Sequence, residues 1–241
     1  ALESKLELTQ NRNAKSFAKS ASLLFPTSNK DYEEFEIFES SNFSPALQAK
    51  FPSIKSYIGR SIYTNKTIRF SYSKVSGLQA FIQTKQGTQI VKPSNVSNNE
   101  YVFFDRKNSE TFNSFECETI ETTLKRTRES SNTSYSNNDG YLRKYRVAIA
   151  TTYEYSNYFL SGNETSDQEK KEVVLAALNT SLTRINGIFE RDFGITMELV
   201  DNNDQVIYID TNSDPFSSGN YNSQLQNTLD SVIGNDNYDV G

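Results

Sequence analysis

Tyr145-Arg146-Val147-Ala148-Ile149-Ala150, a capped helix beyond it, and Ile195-Thr196-Met197-Glu198-Leu199-Val200 decide how this chain folds. Tyr145, Val147 and Ile149 alternate with Arg146, Ala148 and Ala150, and the alanines leave both faces buriable, as in an interior strand. Ser166 and Glu169 have capping-box spacing. Val174, Leu178, Leu182, Ile185 and Phe189 follow at spacings of four, four, three and four, an apolar helical stripe, and Gly194 suits a left-handed stop. Residues 195–200 alternate again, Asp201-Asn202-Asn203-Asp204 turns the chain, and residues 205–209 predict one more strand. After a loop marked by Asp214-Pro215 and Ser217-Ser218-Gly219, Leu225, Leu229, Val232 and Ile233 predict a second amphipathic helix ending at Gly234. This β-α-β order implies α/β layers around one core, and by itself it carries no chemistry.

Upstream the pattern is different. The first 25 residues are polar except for Leu23, Leu24 and Phe25 before Pro26, and are expected to be loosely ordered. Residues 32–39 mix acidic side chains with Phe35, Ile37 and Phe38, a strand with one buried face. Ser44-Pro45 provides an N-cap and a first-turn proline for a short helix over residues 46–51, stopped by Pro52. Ile68, Phe70 and Tyr72 share one side of a strand, residues 78–82 alternate after Gly77, and residues 89–92 and 101–105 predict two more strands. Together they make a small β-rich module ending near Glu121. Residues 122–142 have linker composition, with Lys125, Arg126 and Arg128 running into Ser130, Ser131, Asn132 and Asn137-Asn138-Asp139-Gly140. That segment reads either as an exposed loop or as a protease-accessible activation segment.

Composition narrows the chemistry. Hydrophobic residues make up 35% of the chain and aromatic residues 12%, with a mean hydropathy of −0.65, which suits a folded protein with a polar surface. A net charge of −5 with scattered basic residues leaves no footprint for nucleic acid. No apolar run is long enough to span a membrane, and Ala1-Leu2-Glu3-Ser4 lacks the character of a signal peptide, so the chain is either cytosolic or has lost its signal. The chain has no His, no Trp and one Cys. A zincin helix needs two imidazoles on one face, and a Ser or Cys nucleophile usually needs a His base, so neither centre can be assembled from these residues.

Residues 144–155, continuing through Arg184-Ile185-Asn186-Gly187-Ile188-Phe189-Glu190-Arg191-Asp192-Phe193-Gly194-Ile195, resemble the opening strand, first long helix and second strand of bacterial secreted reprolysin-like metalloproteases of the metzincin group. Asn235-Asp236-Asn237-Tyr238-Asp239-Val240-Gly241 is similar to the segment that leads toward the active-site helix in that family, and residues 46–82 resemble its propeptide, often exported by the type IX route. The resemblance implies an α+β chain: a β-rich propeptide module (1–121), a linker (122–142), and the N-terminal β-α-β part of a metzincin-like catalytic domain (143–241). It implies a secreted or cell-surface zinc endopeptidase precursor, latent as given because the H-E-x-x-H motif is absent from the sequence. Zinc would belong to the full-length parent and not to this chain alone. The implied partners are the remainder of the catalytic domain, protein or peptide substrates and the export machinery, with no nucleic acid. The competing reading is a non-catalytic secreted binding or surface module with a metzincin-like core.

Several residues carry two readings. Cys117 could place a thiolate on a catalytic zinc as a cysteine switch, or be a buried small hydrophobe or a partner for another cysteine. Asp239 falls where the resemblance implies a calcium ligand, while its bland role is to form a turn. Lys125, Arg126 and Arg128 are the processing candidates. Asn42, Asn65, Asn95, Asn132, Asn163 and Asn179 open N-x-[ST] patterns that chance explains in an Asn- and Ser-rich chain.

Overall fold

The computed structural model describes residues 2–14, 21–28, 31–96, 99–108, 139–217 and 219–241. Seven strands, β1 (Ala21–Pro26), β2 (Tyr32–Glu39), β3 (Lys55–Ser61), β4 (Thr67–Ser73), β5 (Gly77–Thr84), β6 (Gly87–Asn95) and β7 (Glu100–Asp105), form one antiparallel sheet in sequence order. A short helix, α1 (Leu2–Leu6), precedes them, and a second, α2 (Pro45–Lys50), links β2 to β3. Ser44 caps α2 as expected, its hydroxyl accepting from the Leu47 N–H at 3.3 Å.

The period-2 pattern places Phe35, Ile37, Ile68, Phe70, Ala80 and Ile82 on one face of this sheet, all 1% exposed or less. Phe70 stacks on Tyr57 at 4.7 Å between ring centroids. Gly59 stands among them because a Cβ there would lie 2.7 Å from the Glu36 carbonyl oxygen. The other face is also covered: Ser56, Arg69, Ser71 and Ser73 are buried although polar.

Further along the chain, β8 (Arg143–Val147) and β9 (Ile195–Leu199) pair in parallel, with Tyr145 opposite Met197 and Val147 opposite Leu199. Between them run α3 (Tyr153–Phe159) and α4 (Asp167–Phe193), and α5 (Tyr221–Val232) follows. Ser166 caps α4 and Gly194 ends it at φ 64°, both as expected. The strand, long helix and strand are neighbours, since α4 packs directly on β9.

Several expectations need correction. Residues 1–25 are not uniformly loose: Leu6 is buried in α1, and Leu23 and Phe25 in β1. β3 and α3 were not expected from the sequence. Residues 203–206 form a 3-10 turn followed by a single bridge from Ile207 to Thr151, not a strand over 205–209. The cause is Asn203, fully buried, which accepts from the Ile149 N–H at 2.8 Å and donates to its carbonyl at 3.1 Å. β8 is interior in its hydrogen bonding, flanked by β9 and by Val240, yet residues 143–146 are exposed and burial begins at Val147. Ile185, placed on the core stripe by its spacing, is 36% exposed. The expected module end near Glu121 and most of the linker lie outside the described residues.

Candidate inter-module interface

Helix α4 lies between two sheets. One side packs on β9, and the other on β3 and β4 of the N-terminal module. Its first side is apolar, with Val174, Leu175, Leu178 and Leu182 at 4% exposure or less. Its second side is polar at helical spacing: Asn179, Thr183 and Asn186 are each 2% exposed or less. Buried amides are stable only when their donors and acceptors are met, and here the partner comes from the N-terminal module.

That partner is Asn42. Its Nδ2 donates to Asn179 Oδ1 at 2.9 Å and to Thr183 Oγ1 at 2.7 Å, and its Oδ1 accepts from Asn186 Nδ2 at 3.0 Å. Asn186 also ties the helix to β9, donating to the Met197 carbonyl and accepting from the Met197 N–H, both at 2.8 Å. The backbone around Asn42 extends the second sheet. The Leu199 N–H donates to the Asn42 carbonyl at 2.8 Å, and the Ser44 N–H donates to the Leu199 carbonyl at 2.9 Å. Residues 42–44 thus cover the outer edge of β9, and Phe43, Leu47, Phe51 and Ile54 share one apolar cluster with Val147, Leu175, Leu182 and Leu199.

Further along α4, polar and charged contacts continue the seam. Ser71 Oγ and Thr180 Oγ1 are 2.8 Å apart, Gln83 Nε2 donates to the Gly187 carbonyl at 3.1 Å, and Arg184 lies 5.6 Å from the Phe81 ring centre. Glu190 receives Arg12 at 2.9 Å and also Arg69. Burial lowers the pKa of Arg69, Glu190 opposes that, and the neighbouring Arg12 adds to it. At mid-helix Asn179 Nδ2 donates to the Lys55 carbonyl at 3.1 Å, and toward the helix start Ser53 bonds Glu172.

Cys117, Lys125, Arg126 and Arg128 lie outside the described residues. Asp239 is at the β8 edge, where it accepts from Arg146 Nη2 and from the Arg146 backbone N–H, each at 2.7 Å. These bonds hold its carboxyl below the usual carboxylate range. The guanidinium supplies the positive charge that a cation would bring. Among the described residues no group of three or more His, Cys, Asp or Glu side chains is placed to hold a metal. With no His in the sequence, the residues present do not fit a zincin centre.

The residues that dominate the seam were not singled out as a site from the sequence. In the sequence Asn42 and Asn179 stand out only as sequon openers, and at 2% exposure neither can carry a glycan in the folded chain. The available signal was the second stripe: 179, 183 and 186 have spacings of four and three, the same period as the apolar one.

No helix among the described residues is long and apolar enough to cross a membrane. No curated protein and no solved structure matches the chain. Residues 142–241 match the model of the reprolysin-like metallo-peptidase family M12B. The second part of the chain is therefore similar to reprolysin-like metallopeptidases and forms a metallopeptidase-related domain.

Proposed function

We propose that the chain is the prodomain and the N-terminal β-α-β part of the catalytic domain of a secreted, zinc-dependent endopeptidase precursor. In this reading the N-terminal module acts first as an intramolecular chaperone. The observation that carries it is the placement of residues 42–44: they hydrogen-bond along β9 and bring Asn42 into the polar stripe of α4. Without that amide, Asn179, Thr183 and Asn186 would each lose a buried partner, and the exposed β9 edge would offer a template for wrong pairing.

The zinc, its imidazole ligands and a glutamate base would come from a segment outside residues 1–241, and no step of hydrolysis is assigned to residues of this chain. Latency would follow from the intact seam, with the segment around Lys125, Arg126 and Arg128 as the place of processing and Cys117 as a candidate zinc ligand from the prodomain side. The partners in this reading are the remainder of the catalytic domain, protein or peptide substrates and the export machinery.

The test uses the natural full-length product. Zinc is quantified, and casein cleavage is followed before and after limited proteolysis of residues 122–128. The expected result is about one zinc per molecule with activity that rises after the cut. A product that binds no zinc and stays inert after the cut would overturn the reading in favour of a non-catalytic surface module.

A further inference from the structure

A cleft of about 830 Å3 opens at the same seam, between the outer face of the N-terminal sheet and the last turns of α4. Arg12, Arg60, Lys66, Arg69, Lys85 and Arg191 all line it, and Glu190 is the one carboxylate among the described residues that do. The chain as a whole carries a net charge of −5, so this gathering of cations runs against the average.

Internal pairing accounts for only part of it. Lys66 is held by Glu33 and Arg191 by Asp192. Arg12 and Arg69, however, share the single carboxylate of Glu190, and the side chains of Arg69 and Glu190 are only 9% and 12% exposed. The surplus positive charge therefore sits where water screens it poorly. The pKa of Arg69 is lowered first by burial and further by the neighbouring Arg12, while Glu190 opposes both. Gly187 is what lets α4 approach so closely, since a Cβ there would stand 2.9 Å from Arg69 Cδ.

Two further charges flank the cleft. Arg60 leaves the outer face of β3, and Lys85 occupies the two-residue turn between β5 and β6; both are exposed. Neither forms an ion pair with a described carboxylate, including Glu36, which stands opposite Arg60 in the β2–β3 register.

We propose that this cleft binds a small multivalent oxyanion of the phosphate or sulfate class, its oxygens shared by Arg60, Lys85 and the Arg12–Arg69 pair. Guanidinium forks match the geometry of such oxygens, and Asn65 on the β3–β4 turn adds a neutral amide donor to the lining. The cations converge from two walls and do not run along a stripe, which favours a compact ligand over a long polyanion. The acidic remainder of the surface also repels a polymer. This site is independent of whether the N-terminal module is a prodomain.

Titration calorimetry on the full chain tests it, at a salt concentration of about 0.15 M so that diffuse attraction is screened, with tripolyphosphate and a trisulfated disaccharide as separate probes. The expected result is saturable one-to-one binding of at least one probe, weakened at least about tenfold in R60Q/K85Q, which removes two charge-assisted contacts. Circular dichroism should be unchanged in that variant because both residues are exposed. Lys92→Gln is the control, since Lys92 lies over Phe104 and outside the cleft, and it should bind normally. Binding of one probe alone assigns the ester type, and binding of both supports the oxyanion class. No saturable heat with either probe, equal affinity in R60Q/K85Q, or an equal loss in Lys92→Gln overturns the proposal. A long sulfated chain that binds in several copies regardless of the substitutions, while the small probes do not bind, identifies surface attraction only and overturns it too.

Discussion

In the N-terminal sheet, the residues that fill the core, from Leu6 and Phe25 through Phe35, Ile68 and Phe70 to Val91, all belong to that module. The cluster around α4 is built otherwise: Phe43, Leu47, Phe51 and Ile54 come from the N-terminal module and pack with Val147, Val174, Leu175, Leu182 and Leu199. One region is self-sufficient and the other borrows its wall. A module with its own core can fold first and offer a surface to the second, whereas β8, β9 and α4 alone leave a sheet edge, an apolar face and a polar stripe uncovered. The asymmetry is what an assisted fold requires.

Substitutions can break this comparison. The largest effect is expected for Phe51→Ala, which removes a side chain 1% exposed in the shared cluster and should cost about 3–5 kcal/mol. Followed by hydrogen exchange, the loss of protection should fall on α4 and β9 before the strands β4 and β5. Phe70→Ala, of similar cost, should instead reduce protection in the N-terminal sheet first. Uniform loss in both variants would mean one cooperative unit and no asymmetry.

Asn42→Ala should come next, costing about 1–3 kcal/mol by leaving buried amide and hydroxyl groups unpaired. Denaturant melts of Asn42→Ala and of the double variant with Asn179→Ala should be non-additive, because the two residues share one network. Ser166→Ala acts at an exposed end of α4 and should cost about 1 kcal/mol through the lost cap, without altering protection of the N-terminal sheet.

The smallest expected effect separates the regions by pH. Burial raises the pKa of Glu33, but bonds from Lys66, Ser61 and Thr64 outweigh it and the net position is below its ordinary 4.5. A depressed carboxyl contributes stability that is fully present above the unfolded value and is lost as pH falls through the folded one. Glu33→Gln should therefore flatten the acid limb of stability below about pH 4.5 for β2, β3 and β4, as read by exchange, while leaving α4 and β9 on their original profile.

Much of this architecture was legible in the sequence where a single physical rule decided the outcome. The β2 and β4 alternation, the Ser44 and Ser166 caps and the Gly194 stop each depend on neighbours a few residues away. β3 escaped because both of its faces are covered, so Ser56, Tyr57 and Gly59 are all buried and no alternation survives. Residues 205–209 have the composition of a strand, but the long-range bonds of Asn203 to Ile149 turn the chain first. The seam was hidden for the same reason: Asn42, Asn179, Thr183 and Asn186 look like surface residues until a second module covers them. Of the candidate metal and processing residues only Asp239 falls among the described residues, bonded to Arg146.

The most direct measurement is the exchange rate of the Leu199 amide, whose hydrogen is bonded to the Asn42 carbonyl across the module boundary. In the intact chain it should be among the slow amides. After the segment at 122–128 is cut and the N-terminal piece is separated under mild denaturant, its protection should fall at least about a hundredfold, equivalent to about 2.7 kcal/mol of lost opening free energy, together with that of α4. A Leu199 amide that remains as slow without the N-terminal module would contradict the claim that this module completes the metallopeptidase-related fold.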